Sequence, residues 1–141
     1  MIDKFKKSFQ QAGDFIKDQA NTISDSAKEK TYQVIDDWME VFPELETYGW
    51  ETTSFGVNLA LSPSLEVELR GNREDFTLEK VNFLVERTSD QRILNSIFKS
   101  VQTTLQMHKK IKSNQYEYVF LLINVKIPPE VKVVLGERKL Y

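Results

Sequence analysis

The chain has 141 residues, of which 40% are hydrophobic and 28% are charged, and its formal net charge is −2 at pH 7. This composition is typical of a globular domain and argues against disordered, fibrous and strongly basic nucleic-acid-binding proteins. The absence of cysteine excludes disulfides, thiolate metal sites and cysteine nucleophiles. Because the chain is not strongly basic, a nucleic-acid partner is not expected.

The first third of the chain has the apolar spacing of an amphipathic helix. Several stripe residues lie eleven positions apart, which keeps them on one side of a nearly straight helix. Polar residues over 21–26 favour helix caps, so the pattern predicts one long helix or two helices that meet there. Pro43 is expected to end the helix. The stripe consists of Phe5, Phe9, Ala12, Ile16, Ala20, Ile23, Ala27, Val34, Trp38 and Phe42.

From Tyr48 the pattern changes to the two-residue alternation of β-strands. Apolar and polar residues alternate on both sides of a turn signal at 62–64, which predicts a hairpin with one buried and one water-facing side. Glu66, Glu68 and Arg70 fall on the water-facing side. We interpret them as solvated, or as a polar recognition surface if that side of the sheet is open.

The middle of the chain predicts a third strand followed by a helix. The stretch 76–87 alternates in two pieces that are out of phase, which suggests a strand with a bulge near 79–80. Thr88 and Gln91 then have the spacing of a capping box ahead of an apolar stripe that reaches about as far as Ile111. The predicted helix therefore begins near Thr88.

Two strands are expected at the end of the chain. The run 116–126 is rich in Val, Ile, Leu and aromatic residues, prolines at 128–129 end it, and a short strand follows over 131–135. The sequence thus predicts one α+β domain. It has a helical segment over 1–43 and a core over 48–141, with about five antiparallel strands in the order β-β-β-α-β-β and helices on one face.

The N-terminal stripe is the sharpest candidate for an interaction surface. Phe5, Phe9 and Ile16 share one side of the expected helix, and Lys6 and Lys7 lie beside them. Such a helix can dock on its own sheet, on a protein partner, on a second copy, or on an anionic membrane surface. The alanines of the stripe suit close helix packing better than insertion into lipid, so packing or oligomerisation is favoured.

Two tryptophans and the one histidine are further candidates. Trp38 is expected in the core, whereas Trp50 can be either a core residue or an exposed anchor for a partner. His108 has no companion residues at metal-ligand spacing and is expected to be exposed. No phosphate loop or nucleophile elbow is present either. We therefore expect no catalytic residue, cofactor or metal.

These patterns lead to a functional hypothesis with two alternatives. We expect a cytoplasmic, non-catalytic interaction module that binds a protein partner or self-associates through its amphipathic N-terminal helix. The first alternative is a lipid-binding protein attached peripherally to a membrane. The second is an enzyme whose site combines dispersed carboxylates with His108.

Replacing both Phe5 and Phe9 with aspartate is expected to abolish partner binding or oligomerisation through the helix, because charge enters its apolar side.

Liposome flotation at low and physiological salt tests the membrane alternative, since attraction to headgroups is screened over about 8 Å at physiological ionic strength. Flotation of the wild type alone would favour the membrane, and unchanged binding and association of the variant would contradict the leading hypothesis.

Overall fold

The computed structural model describes residues 25–58, 64–111 and 115–137. Within these ranges the chain forms two helices, a hairpin, two helices and a second hairpin. A single 3-10 turn, Arg73–Asp75, follows the second strand. The elements are α1 (Asp25–Met39), α2 (Val41–Thr47), β1 (Glu51–Asn58), β2 (Ser64–Asn72), α3 (Leu78–Arg87), α4 (Arg92–His108), β3 (Tyr118–Val125) and β4 (Glu130–Gly136).

The four strands form one antiparallel sheet in the order β1-β2-β3-β4. Each hairpin pairs two consecutive strands, and the long connection from β2 to β3 carries α3 and α4. The predicted α+β class and antiparallel sheet are confirmed. The prediction of five strands is wrong, because the sheet of the described residues has four.

The segment that was predicted as the third of five strands forms a helix. Residues 78–87, predicted as a bulged strand, form α3, and the side chain of Thr77 caps its start by accepting a hydrogen bond from the backbone N–H of Lys80 at 3.3 Å. Val81 is buried while Phe83, placed on the same side by strand alternation, is 60% exposed. The two residues therefore lie on different sides of a helix.

The sequence had suggested that Pro43 ends the helical pattern, and this prediction is wrong. The chain instead turns at Glu40, and α2 begins at Val41, so Pro43 lies in the first turn of a new helix. The backbone N–H groups of a first turn have no partner within the helix, and a proline there breaks no hydrogen bond. The helical region therefore continues to Thr47.

Thr88 ends α3 rather than beginning α4. Its hydroxyl donates to the carbonyl of Leu84 at 2.8 Å, and α4 starts at Arg92. Asn95, in the first turn of α4, donates to the carbonyl of Val85 at 2.8 Å and so joins the two helices. The capping-box prediction was therefore misplaced by about one turn, although the helix itself is confirmed.

One side of the sheet forms the core together with all four helices. Trp38 is 5% exposed, as expected of a core residue, and Trp50 is 2% exposed. The main apolar residues that meet in this cluster are Ile35, Trp38, Phe42, Leu45, Val81, Leu94, Ile97, Phe98 and Val101 from the helices, and Leu65, Val67, Leu69, Val119, Leu121, Ile123 and Val125 from the strands. None of the described helices is long and apolar enough to cross a bilayer.

A stacked aromatic pair closes one end of the core. The rings of Trp50 and Phe76 lie 4.0 Å apart at 24°, and they cover Gly71 of β2. A β-carbon at Gly71 would collide with the Phe76 ring and lie 2.9 Å from Cζ3 of Trp50. The pair can therefore lie flat on the strand only because position 71 has no side chain.

Replacing Gly71 with alanine is expected to destabilise the protein by about 1–3 kcal/mol, the usual effect of overpacking a core. The matched control is Gly56→Ala, since a β-carbon at Gly56 meets nothing within 4 Å. Urea unfolding measures both free energies. Equal stability of the two variants would contradict the packing described for Gly71.

Candidate functional site: the open face of the sheet

The side of the sheet that faces away from the core is called here the open face. Its side chains follow from strand alternation and from the pairing register, because residues directly opposite each other point to the same side. Three cross-strand rows, listed from β1 to β4, make up most of it. They are Glu51, Arg70, Phe120 and Val134; Ser54, Glu68, Leu122 and Lys132; and Gly56, Glu66, Asn124 and Glu130.

A cavity of about 300 Å³ lies over the second and third of these rows. Its floor includes the half-buried side chain of Leu122, and its polar rim includes Glu66, Glu130 and Lys132. Gly56 leaves the β1 side unobstructed, since no atom lies within 4 Å of the position that a β-carbon would take there. The cavity is thus a shallow site with an apolar floor, and its charged lining residues are Glu66, Glu68, Glu130 and Lys132.

Two acceptor groups of the cavity are shielded from water. Glu68 is 9% exposed, and its Oε1 accepts a hydrogen bond of 2.8 Å from the hydroxyl of Thr53. Thr53 lies at the register shift of β1, and this irregularity directs its hydroxyl toward Glu68. Asn124 Oδ1 is buried and accepts no hydrogen bond from a described residue. A ligand group that donates hydrogen bonds would satisfy this oxygen.

The first row is more apolar and carries a balanced charge. Arg70 donates to Glu51 at 3.0 Å, and its guanidinium carbon lies 4.8 Å from the ring centre of Tyr118. The Tyr118 and Phe120 rings are 6.0 Å apart, so the arginine, the tyrosine and the phenylalanine form a continuous surface. Phe120 is 4% exposed.

The open face is acidic around Glu66 and Glu68 of β2, whereas a lysine compensates the negative charge of Glu130 on β4. Glu66 is exposed and Glu68 lies in the neighbouring row, whereas Glu130 forms an ion pair of 3.2 Å with Lys126. Such exposed pairs contribute about 0–1 kcal/mol and leave both groups available. The side of the face formed by β2 therefore favours a positively charged group.

The structure brings together some of the residues singled out in the sequence. Glu66, Glu68 and Arg70 do share the open face, although Glu68 is much less exposed than a solvated strand residue. Trp50 is in the core and stacks on Phe76, which favours the first of the two roles considered for it. Five candidate residues lie outside the described residues: Phe5, Lys6, Lys7, Phe9 and Ile16.

His108 is half-buried rather than exposed as predicted. Its ring meets the ring of Tyr116 edge-on at 4.9 Å, and the guanidinium of Arg73 lies over Tyr116 at 4.8 Å. These contacts tie the end of α4 to the start of β3. Asn124 is eight residues beyond Tyr116, and an extended strand of that length spans about 26 Å. His108 and Glu66, the partner of Asn124, therefore lie at opposite ends of the sheet.

The acidic residues around α1 and α2 do not form a metal site. Asp36, Glu40 and Glu44 are exposed on the surface of the helical region, and Glu46 accepts a hydrogen bond of 2.9 Å from Thr52. In the described ranges, no group of three or more His, Cys, Asp or Glu side chains can hold a metal ion.

Sequence reasoning missed the residues that form the floor of the cavity. Leu122 and Asn124 belong to the run 116–126, which was predicted as a strand. Its apolar residues are nearly continuous, so the run has no marked apolar face. The one signal was Asn124, the only polar side chain between Val119 and Val125. Its position two residues from Leu122 places both on one face.

Comparison with protein-family models, with curated protein sequences and with solved structures finds no match to this chain. Its function is therefore inferred from its own residues.

Proposed function

We propose that this protein is a non-catalytic interaction module whose binding surface is the open face of the sheet. Its ligand is a segment of a protein partner that presents apolar side chains between lysine or arginine residues. The observation that carries the proposal is the cavity of about 300 Å³, with an apolar floor and carboxylates at its rim.

The apolar part of the surface supports a protein segment as the ligand. Phe120, Leu122 and Val134 form a continuous apolar strip along the middle of the face, flanked by polar groups. A buried apolar centre with a polar rim is the arrangement found in protein interfaces. Burying the exposed parts of Leu122 and Val134 stabilises a complex by about 25 cal/mol per Å² before the costs of association are subtracted.

The polar part supports a basic segment. Glu66 and Glu68 occupy neighbouring positions on β2, and Asn124 Oδ1 adds an acceptor without a described donor. Lysine and arginine side chains carry only donors, and their long stems can cover apolar surface while the charged end reaches a carboxylate. The ligand chemistry follows from this combination.

The earlier hypothesis of binding through the N-terminal helix concerns residues outside the described ranges and stays a prediction. Its sequence is nevertheless useful, because residues 1–20 combine the stripe of Phe5, Phe9 and Ile16 with lysines. A synthetic peptide of this sequence is therefore a suitable probe for the open face.

The test titrates a fluorescent peptide of residues 1–20 into the full chain that carries Phe5→Asp and Phe9→Asp. In this variant the chain's own N-terminal segment no longer has the Phe5 and Phe9 side chains, so only the added peptide carries the complete apolar stripe. Saturable binding is expected by fluorescence anisotropy. The further change Glu66→Lys is expected to weaken the binding by about threefold or more, since it replaces an attractive charge with a repulsive one.

Glu74→Lys is the matched control, because Glu74 is an exposed carboxylate in the 3-10 turn beyond the end of β2. It makes the same change in net charge and is expected to leave the affinity nearly unchanged. Absence of saturable binding, or equal weakening by both charge reversals, would contradict the proposed surface.

A further inference from the structure

The burial of Phe120 is not explained by the described helices. Phe120 is 4% exposed, but it points away from the core cluster and is not a member of it. Among the described residues its neighbours on the open face include Tyr118, Arg70 and Val134, which lie beside it in the sheet. The strip around Phe120 is therefore an apolar part of the sheet that lies outside the core cluster formed with the described helices.

Only one stretch outside the described residues is long enough to cover the face. The stretches 59–63, 112–114 and 138–141 hold five, three and four residues, whereas 1–24 holds twenty-four. The strand β3, which carries Phe120, has eight residues, or about 26 Å. Residues 4–17 would extend about 21 Å as a helix, which matches most of this length.

The connection to α1 is also long enough. The chain enters the described structure at Asp25, the first residue of α1, whose side chains Ile35 and Trp38 pack in the core. Residues 18–24 can extend over about 24 Å, at about 3.4 Å per residue. A layer that packs on a sheet lies about 10 Å from it, so this reach is enough to pass from one side of the sheet to the other.

The side chains of the two surfaces are complementary. An apolar strip of Phe120, Leu122 and Val134 would meet an apolar stripe of Phe5, Phe9 and Ile16. The four lysines up to residue 17 exceed the two aspartates by two positive charges: Lys4, Lys6, Lys7 and Lys17 against Asp3 and Asp14. The acidic β2 side of the open face, with Glu66 and Glu68, has the opposite sign.

We propose that residues 1–24 of this chain occupy the open face of the same molecule, through contact of the Phe5, Phe9 and Ile16 stripe with the strip around Phe120. This inference rests on the proposed function, since it names the first segment that the face binds. A partner segment must then displace the chain's own segment, whose effective concentration through a short linker is in the millimolar range.

The first experiment compares the full-length wild type with the Phe5→Asp/Phe9→Asp chain in titrations with the fluorescent peptide of residues 1–20. The variant is expected to bind at least about tenfold more tightly, because its own segment no longer competes. Phe83→Asp, the same change at a 60% exposed residue of α3, is the matched control and is expected to bind as the wild type does.

The outcomes separate this inference from the proposed function. Equal affinity of wild type and variant overturns the intramolecular occupant while the proposed surface stands. Weaker binding by the variant also overturns it, because the helix itself would then be the binding element. Binding by neither protein contradicts the proposed surface and, with it, this inference.

A second experiment distinguishes the same molecule from a second copy. Because the chain has no cysteine, Gln11→Cys gives a unique site for a nitroxide label. In the NMR spectrum of isotope-enriched protein that carries this nitroxide, the amide peaks of Gly56, Glu66 and Asn124 are expected to lose intensity. A label at Ser89→Cys, an exposed position between α3 and α4, is expected to leave these peaks unchanged.

Protein of natural isotopic abundance that carries the nitroxide is then mixed with isotope-enriched protein that carries no nitroxide. Intensity loss in this mixture at the same amides would show that a second copy occupies the face, and it would overturn the intramolecular proposal. A concentration-dependent dimer in sedimentation that disappears in the Phe5→Asp/Phe9→Asp chain would do the same. A monomer with intensity loss only within one molecule supports it.

Discussion

The structure depends on one-sided burial of the sheet. Alternate residues of β3 point to opposite sides, and Val119, Leu121, Ile123 and Val125 all enter the core cluster that the helices complete. Apolar burial is the main favourable contribution to folding, so this side fixes the strand order and the positions of α1 to α4. The residues between them, from Tyr118 to Asn124, contribute little to that core. Their side of the sheet is therefore the part of the described surface that can be adapted to a ligand.

The same constraint explains why the open face has a mixed character. Leu122 and Phe120 give it an apolar centre, whereas Glu66 and Glu68 occupy equivalent positions on the neighbouring strand. Under the proposed function, a polar border limits unspecific association of the apolar strip, and carboxylates beside it would favour a basic segment. The hydrogen bond from Thr53 to Glu68 and the absence of a side chain at Gly56 shape the cavity from the β1 side. The surface is thus specified by all four strands, although none of its polar residues belongs to a catalytic motif.

Much of the fold could be predicted from periodicity, and the exceptions have physical causes. The hairpin of β1 and β2 and the strand β3 have clear alternation or a clear apolar run, and α4 has a long apolar stripe. In the short helix α3, Val81, Leu84, Val85 and Thr88 have helical spacing, but Val81, Phe83 and Val85 also alternate as in a strand. The capping role of Thr77 decides between the two patterns, and it is visible only once Lys80 is seen to donate to it. The site was harder to predict, because alternation shows that a strand has two sides but not which side the helices cover. Glu66, Glu68 and Arg70 were recognised as one row, while Leu122 and Asn124 were hidden in an apolar run.

The most direct test of the division between the two faces uses neighbouring leucines of β3. Leu121 is 0% exposed and lies in the core cluster, whereas Leu122 is half-buried on the open face. Leu121→Ala and Leu122→Ala remove the same atoms one residue apart. Urea unfolding measures the cost of each in the Phe5→Asp/Phe9→Asp chain, in which the proposed contact of residues 1–24 with the open face is removed. The account predicts a loss of about 2–5 kcal/mol for Leu121→Ala and about 1 kcal/mol or less for Leu122→Ala. Equal losses would show that both faces belong to one core, and they would contradict the assignment of the open face as a binding surface.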